Sequence, residues 1–159
     1  MTINIYTDGA YSSKTKIGGW AVLTIQNDTV IGQMRGWEEN TTNNRMELYA
    51  VLRAIKEAYT YIPHDNVVTT IYTDSAYISN AFRDRWFDNW RSNGWRTSKK
   101  TPVLNQDLWE SILYYYEKLP NISIQKVEGH NGNKWNELAD QLAVTARTIG
   151  AQERSASAT

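Results

Sequence analysis

The sequence predicts an α/β protein built on a five-stranded mixed sheet, with the first three strands antiparallel, the later ones parallel, and helices on both faces. Strand-like segments follow one another directly at the start of the chain and then alternate with segments of helical period, a pattern typical of a mixed sheet covered by helices. The run Ile-Tyr-Thr-Asp at residues 5–8 also returns at residues 71–74. Its β-branched and aromatic composition indicates a buried strand in each case.

The first elements form a predicted antiparallel meander. Residues 3–7 alternate as a strand, residues 18–25 are a second strand, and residues 30–37 are a third, with a turn signal at Asn27-Asp28. The remaining elements alternate between helix and strand: a helix at 44–61, a strand at 67–73, a helix from 75 that continues into 83–100, a helix at 103–119, a strand at 122–127 and a helix at 135–149. Pro63 lies beyond the end of the first helix, and Pro102 is expected to open the fourth helical segment.

Length and composition predict one domain over residues 1–150, with a disordered tail at residues 151–159, which are small and polar. No apolar run reaches the roughly 18 residues of a membrane span, and no leader is recognisable at the amino terminus, so a cytoplasmic location is expected. Because the chain has no cysteine, disulfides and thiolate metal sites are excluded, and any metal is held by oxygen or imidazole. Such ligands favour a hard cation.

The net charge is zero, but the charges are unevenly distributed. Residues 80–100 carry six basic side chains against two acidic ones, so the rest of the chain has an acidic excess. A basic segment on an acidic body predicts a local binding surface for a polyanion.

Two aspartates are expected to form a metal site. Asp8 and Asp74 follow the repeated runs, so parallel neighbouring strands would bring the carboxylates together at one sheet edge. Two carboxylates held so close repel each other unless a cation lies between them. Taken singly, Asp8-Gly9 is better explained as a turn and Asp74-Ser75 as a helix N-cap. The repetition favours the metal site.

Two further acids have simpler explanations when each is considered alone. Glu47 lies in the first turn of the first helix and is better explained as the far partner of a capping box that Asn44 begins. Asp140 is better explained as an exposed charge beside the apolar stripe of the last helix.

Together, these acids stand in a known arrangement. In order, the chain has Thr-Asp-Gly at the end of a strand, Asn-Asn-Arg-Met-Glu-Leu at the start of a helix, Thr-Asp-Ser, Val-Glu-Gly-His-Asn-Gly, and Asn-Glu-Leu-Ala-Asp. Over residues 3–147 this arrangement resembles type 1 ribonuclease H, the bacterial ribonuclease HI family. The resemblance implies a ribonuclease H-like fold and an endonuclease that cuts the RNA strand of RNA–DNA hybrids with two divalent ions, leaving 5′-phosphate and 3′-hydroxyl ends.

The resemblance also implies roles for particular residues. The metal ligands would be Asp8, Glu47, Asp74 and Asp140, with Asp8 bridging two Mg²⁺ ions for which Mn²⁺ can substitute. His130, on a glycine-flanked loop, would move protons or help release product. The spacing adds Asn136, which stands four residues before Asp140 on the same helix face and is expected to orient a ligand or a water.

Substrate contacts follow from the same resemblance. Thr42 and Asn93 match positions that hold a DNA phosphate, and Asn43 and Asn44 match residues that meet the minor groove of the hybrid. The pair Trp86 and Trp90 matches residues that line the DNA-strand channel, although tryptophans at this helical spacing are equally expected in a core. The expected partner is an RNA–DNA hybrid bound by a monomer, with no membrane contact.

The chain departs from the family pattern at three places: residues 12–17 replace a glycine-rich turn, Asn40 replaces an arginine, and Ala76 replaces a glutamine. These differences affect the expected hybrid contacts and leave the four acids in place. Two alternatives stay open: a hybrid-binding module without catalysis, for which four clustered acids have no use, and a DNA-directed nuclease of the same fold. A reverse-transcriptase fragment is disfavoured by the start at Met1 and the complete basic segment.

Overall fold

The computed structural model describes residues 1–61, 66–127 and 133–157. Within this part of the chain one sheet is formed by the strands β1 (Thr2–Ser12), β2 (Ile17–Gln26), β3 (Thr29–Glu39), β4 (Val68–Thr73) and β5 (Ile122–Lys126). Their order across the sheet is β3-β2-β1-β4-β5. The first three strands pair antiparallel, whereas β4 pairs parallel with both β1 and β5. The predicted mixed sheet and its meander are confirmed.

The repeated strands lie side by side in matched register. Ile5 pairs with Ile71 and Tyr6 with Tyr72, and the two tyrosine rings stack with their centroids 4.8 Å apart. The pairing with β4 stops at this point, while β1 itself continues to Ser12. Asp8 therefore lies within a strand, and the explanation of Asp8-Gly9 as a turn is wrong.

The described helices are α1 (Asn43–Tyr59), α2 (Ala76–Arg83), α3 (Trp86–Ser92), α4 (Gln106–Tyr116) and α5 (Lys134–Ser157). The predicted continuous helix from Ser75 into the basic segment is wrong, because Arg85 has a left-handed backbone (φ 51°) that ends one helix before the next begins. Pro102 does not open α4 either: it forms an isolated bridge with Arg96, and α4 begins after Asn105, which is also left-handed (φ 62°).

The two longest helices cover opposite faces of the sheet. Ile3 and Ile5 are fully buried in the cluster that includes α1. Tyr6, whose side chain points to the other face of the strand, belongs to a second cluster with Ala139 of α5. Strand side chains alternate between faces, so this division follows directly from the sequence. A Cβ atom at Gly19 of β2 would collide with the Ala143 carbonyl, so glycine allows α5 to lie directly on the strand.

Helix α5 extends into the predicted disordered tail. The structure has residues 151–157 in the helix, and residues 158–159 lie outside the described part. Two contacts account for the difference: Gly150 packs against the ring of Trp37, and Arg154 Nη1 donates a hydrogen bond to the Thr15 carbonyl at 2.6 Å. Composition alone carries no signal for contacts with so distant a part of the chain.

None of the described helices has both the length and the apolar composition needed to cross a membrane. The expectations of a single domain, a monomer and a cytoplasmic location stay predictions.

Candidate functional site

Three carboxylates from separate parts of the chain meet at the carboxyl end of the paired region of β1 and β4. Asp8 lies on β1, Asp74 directly follows β4, and Glu47 projects from α1. One carboxylate oxygen of each lies within 4.8 Å of the other two. The predicted meeting of Asp8 and Asp74 is therefore confirmed. The N-cap of α2 is made by the hydroxyl of Ser75, which accepts from the Ile78 N–H, and not by the Asp74 carboxylate.

Glu47 reaches this edge because α1 approaches β1 very closely. The helix is capped by the Thr42 hydroxyl, which accepts from the Arg45 N–H at 3.1 Å, so Asn44 lies inside the helix and the capping-box explanation of Glu47 is wrong. Gly9 permits the approach, since a Cβ there would lie 2.7 Å from the Glu47 nitrogen. The glycine after Asp8 thus brings the Glu47 and Asp8 side chains together.

Burial and the repulsion of neighbouring carboxylates make Asp8 and Glu47 hard to ionise. Asp8 is 3% exposed, and its burial, together with contact with Asp140 and the charge of Asp74, raises its pKa to about 8. Only the Gly9 N–H, 2.9 Å from Asp8 Oδ1, acts in the opposite direction among the causes of the shift. Burial, reinforced by Asp8 and Asp74, also raises the pKa of Glu47 well above its ordinary value. A bound cation would reverse this penalty.

The donor set fits a hard divalent cation. Glu47 Oε2 is fully buried and has no hydrogen-bond partner in the described part of the chain. An unsatisfied carboxylate oxygen is costly in a protein interior, and coordination to a metal removes that cost. Carboxylate oxygens are the ligands that Mg²⁺ and Mn²⁺ prefer. The carboxylates of Asp8, Glu47 and Asp74 can therefore hold a metal ion.

Asp140 and Asn136 complete the site from α5. Both line a cleft of about 440 Å³ together with Asp8 and Asp74. Asp140 lies outside the tight group of three carboxylates, yet its contact with Asp8 is among the causes of the raised pKa there. Asn136 is buried one helical turn before Asp140. The predicted His130 lies outside the described residues.

A second cleft, of about 590 Å³, lies over α3. Its lining includes Tyr77, Trp86, Trp90, Asn93 and Arg96. Trp90 is 7% exposed and packs in the main core, as expected for tryptophans at this helical spacing. Trp86 is half-buried. The Asn93 amide is engaged with Arg96: its Oδ1 accepts from the Arg96 N–H at 2.9 Å, and its Nδ2 donates to the Arg96 carbonyl at 3.0 Å. The Asn93 side chain shapes the turn after α3 and keeps one N–H for a ligand.

Thr42, Asn43 and Asn44 are exposed at the start of α1, about one helical turn before Glu47. Sequence reasoning did not single out Tyr77, which lines the second cleft, or Glu137 and Gln141, which line the first. Glu137 and Gln141 could have been found from the sequence. They directly follow Asn136 and Asp140 and, like them, stand four residues apart, so they share one face of the helix.

The raised pKa of Asp8 predicts that the metal-free protein loses stability as pH rises. The folded protein holds this proton up to about pH 8, whereas an unfolded chain releases it near pH 4. The stabilising contribution is complete below about pH 4 and is lost as pH rises toward 8.

Urea unfolding in chelator at pH 5.5 and 8.5 checks this expectation. The wild type should lose on the order of 2 kcal/mol more unfolding free energy between these two pH values than Asp8→Asn, which has no proton to release. Equal losses in the two proteins would contradict the electrostatic description of the site.

Comparisons with known proteins agree with the geometry. The sequence model of the RNase H family matches residues 1–148. Ribonuclease H from Syntrophomonas wolfei subsp. wolfei is 42% identical over 144 residues, which cover 91% of this chain and 94% of the relative. Ribonuclease H from Thermoanaerobacter sp. (strain X514) is 43% identical over 141 residues, covering 89% and 86%.

Solved structures share the fold. The PFV RNase H domain superposes with a TM-score of 0.72 at 25% identity, covering 93% of this chain and 94% of that domain. LC11-RNase H1, solved in complex with an RNA/DNA hybrid, superposes with a TM-score of 0.72 at 19% identity, covering 93% of this chain and 98% of the other. The latter likeness concerns the fold alone.

Proposed function

The chain belongs to the RNase H family, and from this premise we propose that it is an endonuclease that hydrolyses the RNA strand of RNA–DNA hybrids. The observation that carries the proposal is the group formed by the buried Asp8 and Glu47 and the half-buried Asp74, in which one oxygen of Glu47 has no hydrogen-bond partner in the described residues. A domain that only bound nucleic acid would have no use for such a costly cluster of acids.

Two Mg²⁺ ions, replaceable by Mn²⁺, are proposed as the cofactors. A carboxylate oxygen of Asp8 lies within 4.8 Å of one from Glu47 and one from Asp74, and Asp8 also contacts Asp140. This central position supports Asp8 as the ligand shared by both ions, with the other three acids each serving one. Held by these residues, the ions would supply activation of the attacking water and charge stabilisation of the departing 3′ oxygen.

The two remaining residues of the site have different proposed roles: one orients a ligand or a water, and the other moves a proton. Asn136 is buried beside the carboxylates, where its amide can hold a ligand oxygen or a water in place. His130 is proposed to move a proton or help release product. Because water rather than the neighbouring 2′-hydroxyl attacks the phosphorus, the products carry 5′-phosphate and 3′-hydroxyl ends.

The hybrid is proposed to lie across both clefts. Asn43 and Asn44, whose amides both donate and accept, would meet the minor groove, where 2′-hydroxyls distinguish RNA from DNA. Thr42 and Asn93 would hold a phosphate of the DNA strand, beside the channel formed by Trp86 and Trp90. Contacts to phosphates position a duplex without reading its sequence, so cleavage at many positions is expected.

A substrate panel tests this function. The protein is incubated with end-labelled RNA–DNA hybrid, duplex DNA and duplex RNA of one sequence, each with Mg²⁺ and with chelator. Cutting is expected only in the RNA strand of the hybrid and only with the metal. Cleavage of duplex DNA would instead favour a DNA-directed nuclease, and hybrid binding without any cutting would favour a non-catalytic module.

A further inference from the structure

The turn between β1 and β2, residues 13–16, exposes the two cations Lys14 and Lys16. We propose that the end of α5, residues 149–157, positions this turn so that both lysines bind backbone phosphates of the hybrid. The inference rests on the proposed function and adds to it a phosphate-binding turn and the positioning residue Arg154.

Two arginines of α5 hold the β1–β2 hairpin through its backbone, one at the turn and one on β1 just before it. Arg154 Nη1 donates to the Thr15 carbonyl at 2.6 Å, and Arg147 Nη1 donates to the Tyr11 carbonyl at 3.3 Å. The Thr15 carbonyl belongs to the peptide unit that joins Thr15 to Lys16, which has a left-handed backbone (φ 61°). Arg154 therefore fixes the peptide group between the two lysines and restricts the directions in which they project.

The helix that supplies Arg154 is itself held firmly on the sheet. Gly150 packs against the ring of Trp37, since a Cβ there would lie 2.5 Å from Trp37 Cδ2. Trp37 is the cross-strand partner of Gly19, and a Cβ at Gly19 would lie 2.7 Å from the Arg147 nitrogen. These contacts fix α5 against β2 and β3 on either side of Arg147. The RNase H match ends at residue 148, so Arg154 lies beyond it.

The turn lies at the same end of the sheet as the carboxylates, because it follows the carboxyl end of β1. From Asp8, β1 continues four residues to Ser12, a distance of about 13 Å. At the base of the hairpin, a Cβ on Gly18 would lie 2.7 Å from Thr41 Cγ2, directly before the exposed residues 42–44. A duplex that crosses the carboxylates and the start of α1 therefore passes close to the turn.

The charges at the turn suit a polyanion. Neither lysine forms an ion pair with any residue in the described ranges. The nearby acids in the described residues include Glu38 and Glu39, at the end of the strand that pairs with β2, and Glu153, beside Arg154 on α5. With Arg147 and Arg154, the hairpin end has an excess of positive charge, and two unpaired exposed lysines can each neutralise a phosphate.

Fluorescence anisotropy with a labelled hybrid in chelator tests the inference without requiring cleavage. The double variant Lys14→Ala/Lys16→Ala should weaken binding about tenfold near 0.1 M salt and reduce the slope of log K against log[salt] by about two. Arg154→Ala should weaken binding about threefold, and Arg154→Lys, which can still donate to the Thr15 carbonyl, should recover most of the loss. Gln152→Ala, an exposed neighbour on the same helix, should bind as the wild type does.

A double-mutant cycle separates positioning from direct contact. If Arg154 acts through the turn, Arg154→Ala has no further effect in the Lys14→Ala/Lys16→Ala background. An equal loss in both backgrounds, or unchanged binding by the double lysine variant, would overturn the inference. Thermal melts followed by circular dichroism establish that each variant is folded at the assay temperature. A wild-type protein that binds the hybrid and does not cut it would refute the proposed function. The hybrid affinities of the lysine and Arg154 variants would still decide the present inference, because they are measured without cleavage.

Discussion

Replacing Asp8 with asparagine is expected to lower the rate of Mg²⁺-dependent hybrid cleavage by at least about a thousandfold, or roughly 4 kcal/mol of transition-state stabilisation. Asparagine keeps the size of the side chain but offers one neutral oxygen in place of a charged carboxylate. It cannot bridge two cations. The loss should be larger than for any other single acid, because Asp8 belongs to the tight group of carboxylates and also contacts Asp140.

Single-turnover kinetics with saturating hybrid measure this loss, and hybrid affinity measured in chelator should stay within about threefold of the wild type. Glu110→Gln is the matched control, since Glu110 is an exposed carboxylate on α4 that lies outside both clefts. It should cut at the wild-type rate. Retained turnover by Asp8→Asn would exclude the bridging role.

Replacing Gly9 with alanine should damage both the fold and the site. The new Cβ would lie 2.7 Å from the Glu47 nitrogen and 2.8 Å from the Met46 carbonyl carbon, and neither backbone atom can move without moving α1. Overpacking of this kind costs about 1–3 kcal/mol. The displacement of α1 also carries Glu47 away from Asp8, so we expect cleavage to fall by about a hundredfold or more at low Mg²⁺.

Gly32→Ala is the control for this variant. It lies on β3, and its nearest contact would be the flexible Glu57 side chain at 3.7 Å, so neither stability nor cleavage should change much. Urea unfolding and cleavage at increasing Mg²⁺ concentration are measured for both variants. A Gly9→Ala protein with wild-type Mg²⁺ dependence would show that the close approach of α1 to β1 does not set the distance between Glu47 and Asp8.

Much of the site could be predicted because the strands carry strong local signals. The repeated Ile-Tyr-Thr-Asp run predicts two equivalent buried strands, and their parallel pairing places Asp8 and Asp74 together without further information. Glu47 and Asp140 are different, since each has a simpler local explanation. Their convergence depends on how two helices pack on the sheet, and only the resemblance to a known family identified them in advance.

The differences from expectation arise where distant contacts decide the structure. Arg85 interrupts a helix in a segment whose composition favours continuing it, and its left-handed backbone has no signature in the sequence. The end of α5 is composed of small and polar residues, yet Gly150 meets Trp37 and Arg154 meets Thr15, more than a hundred residues earlier in the chain. Periodicity reports which face a segment buries and does not report which partner covers it.

The chemistry of the cleaved ends tests the central claim most directly. An RNA strand labelled internally with ³²P is annealed to DNA, cut by the protein in Mg²⁺, and its new ends are identified with phosphatase, kinase and periodate. If carboxylate-held metal ions direct a water to the phosphorus, every cut carries a 5′-phosphate and a 3′-hydroxyl, and chelator abolishes all cutting. Cuts that end in 2′,3′-cyclic phosphate and 5′-hydroxyl, or that persist in chelator, would contradict this account.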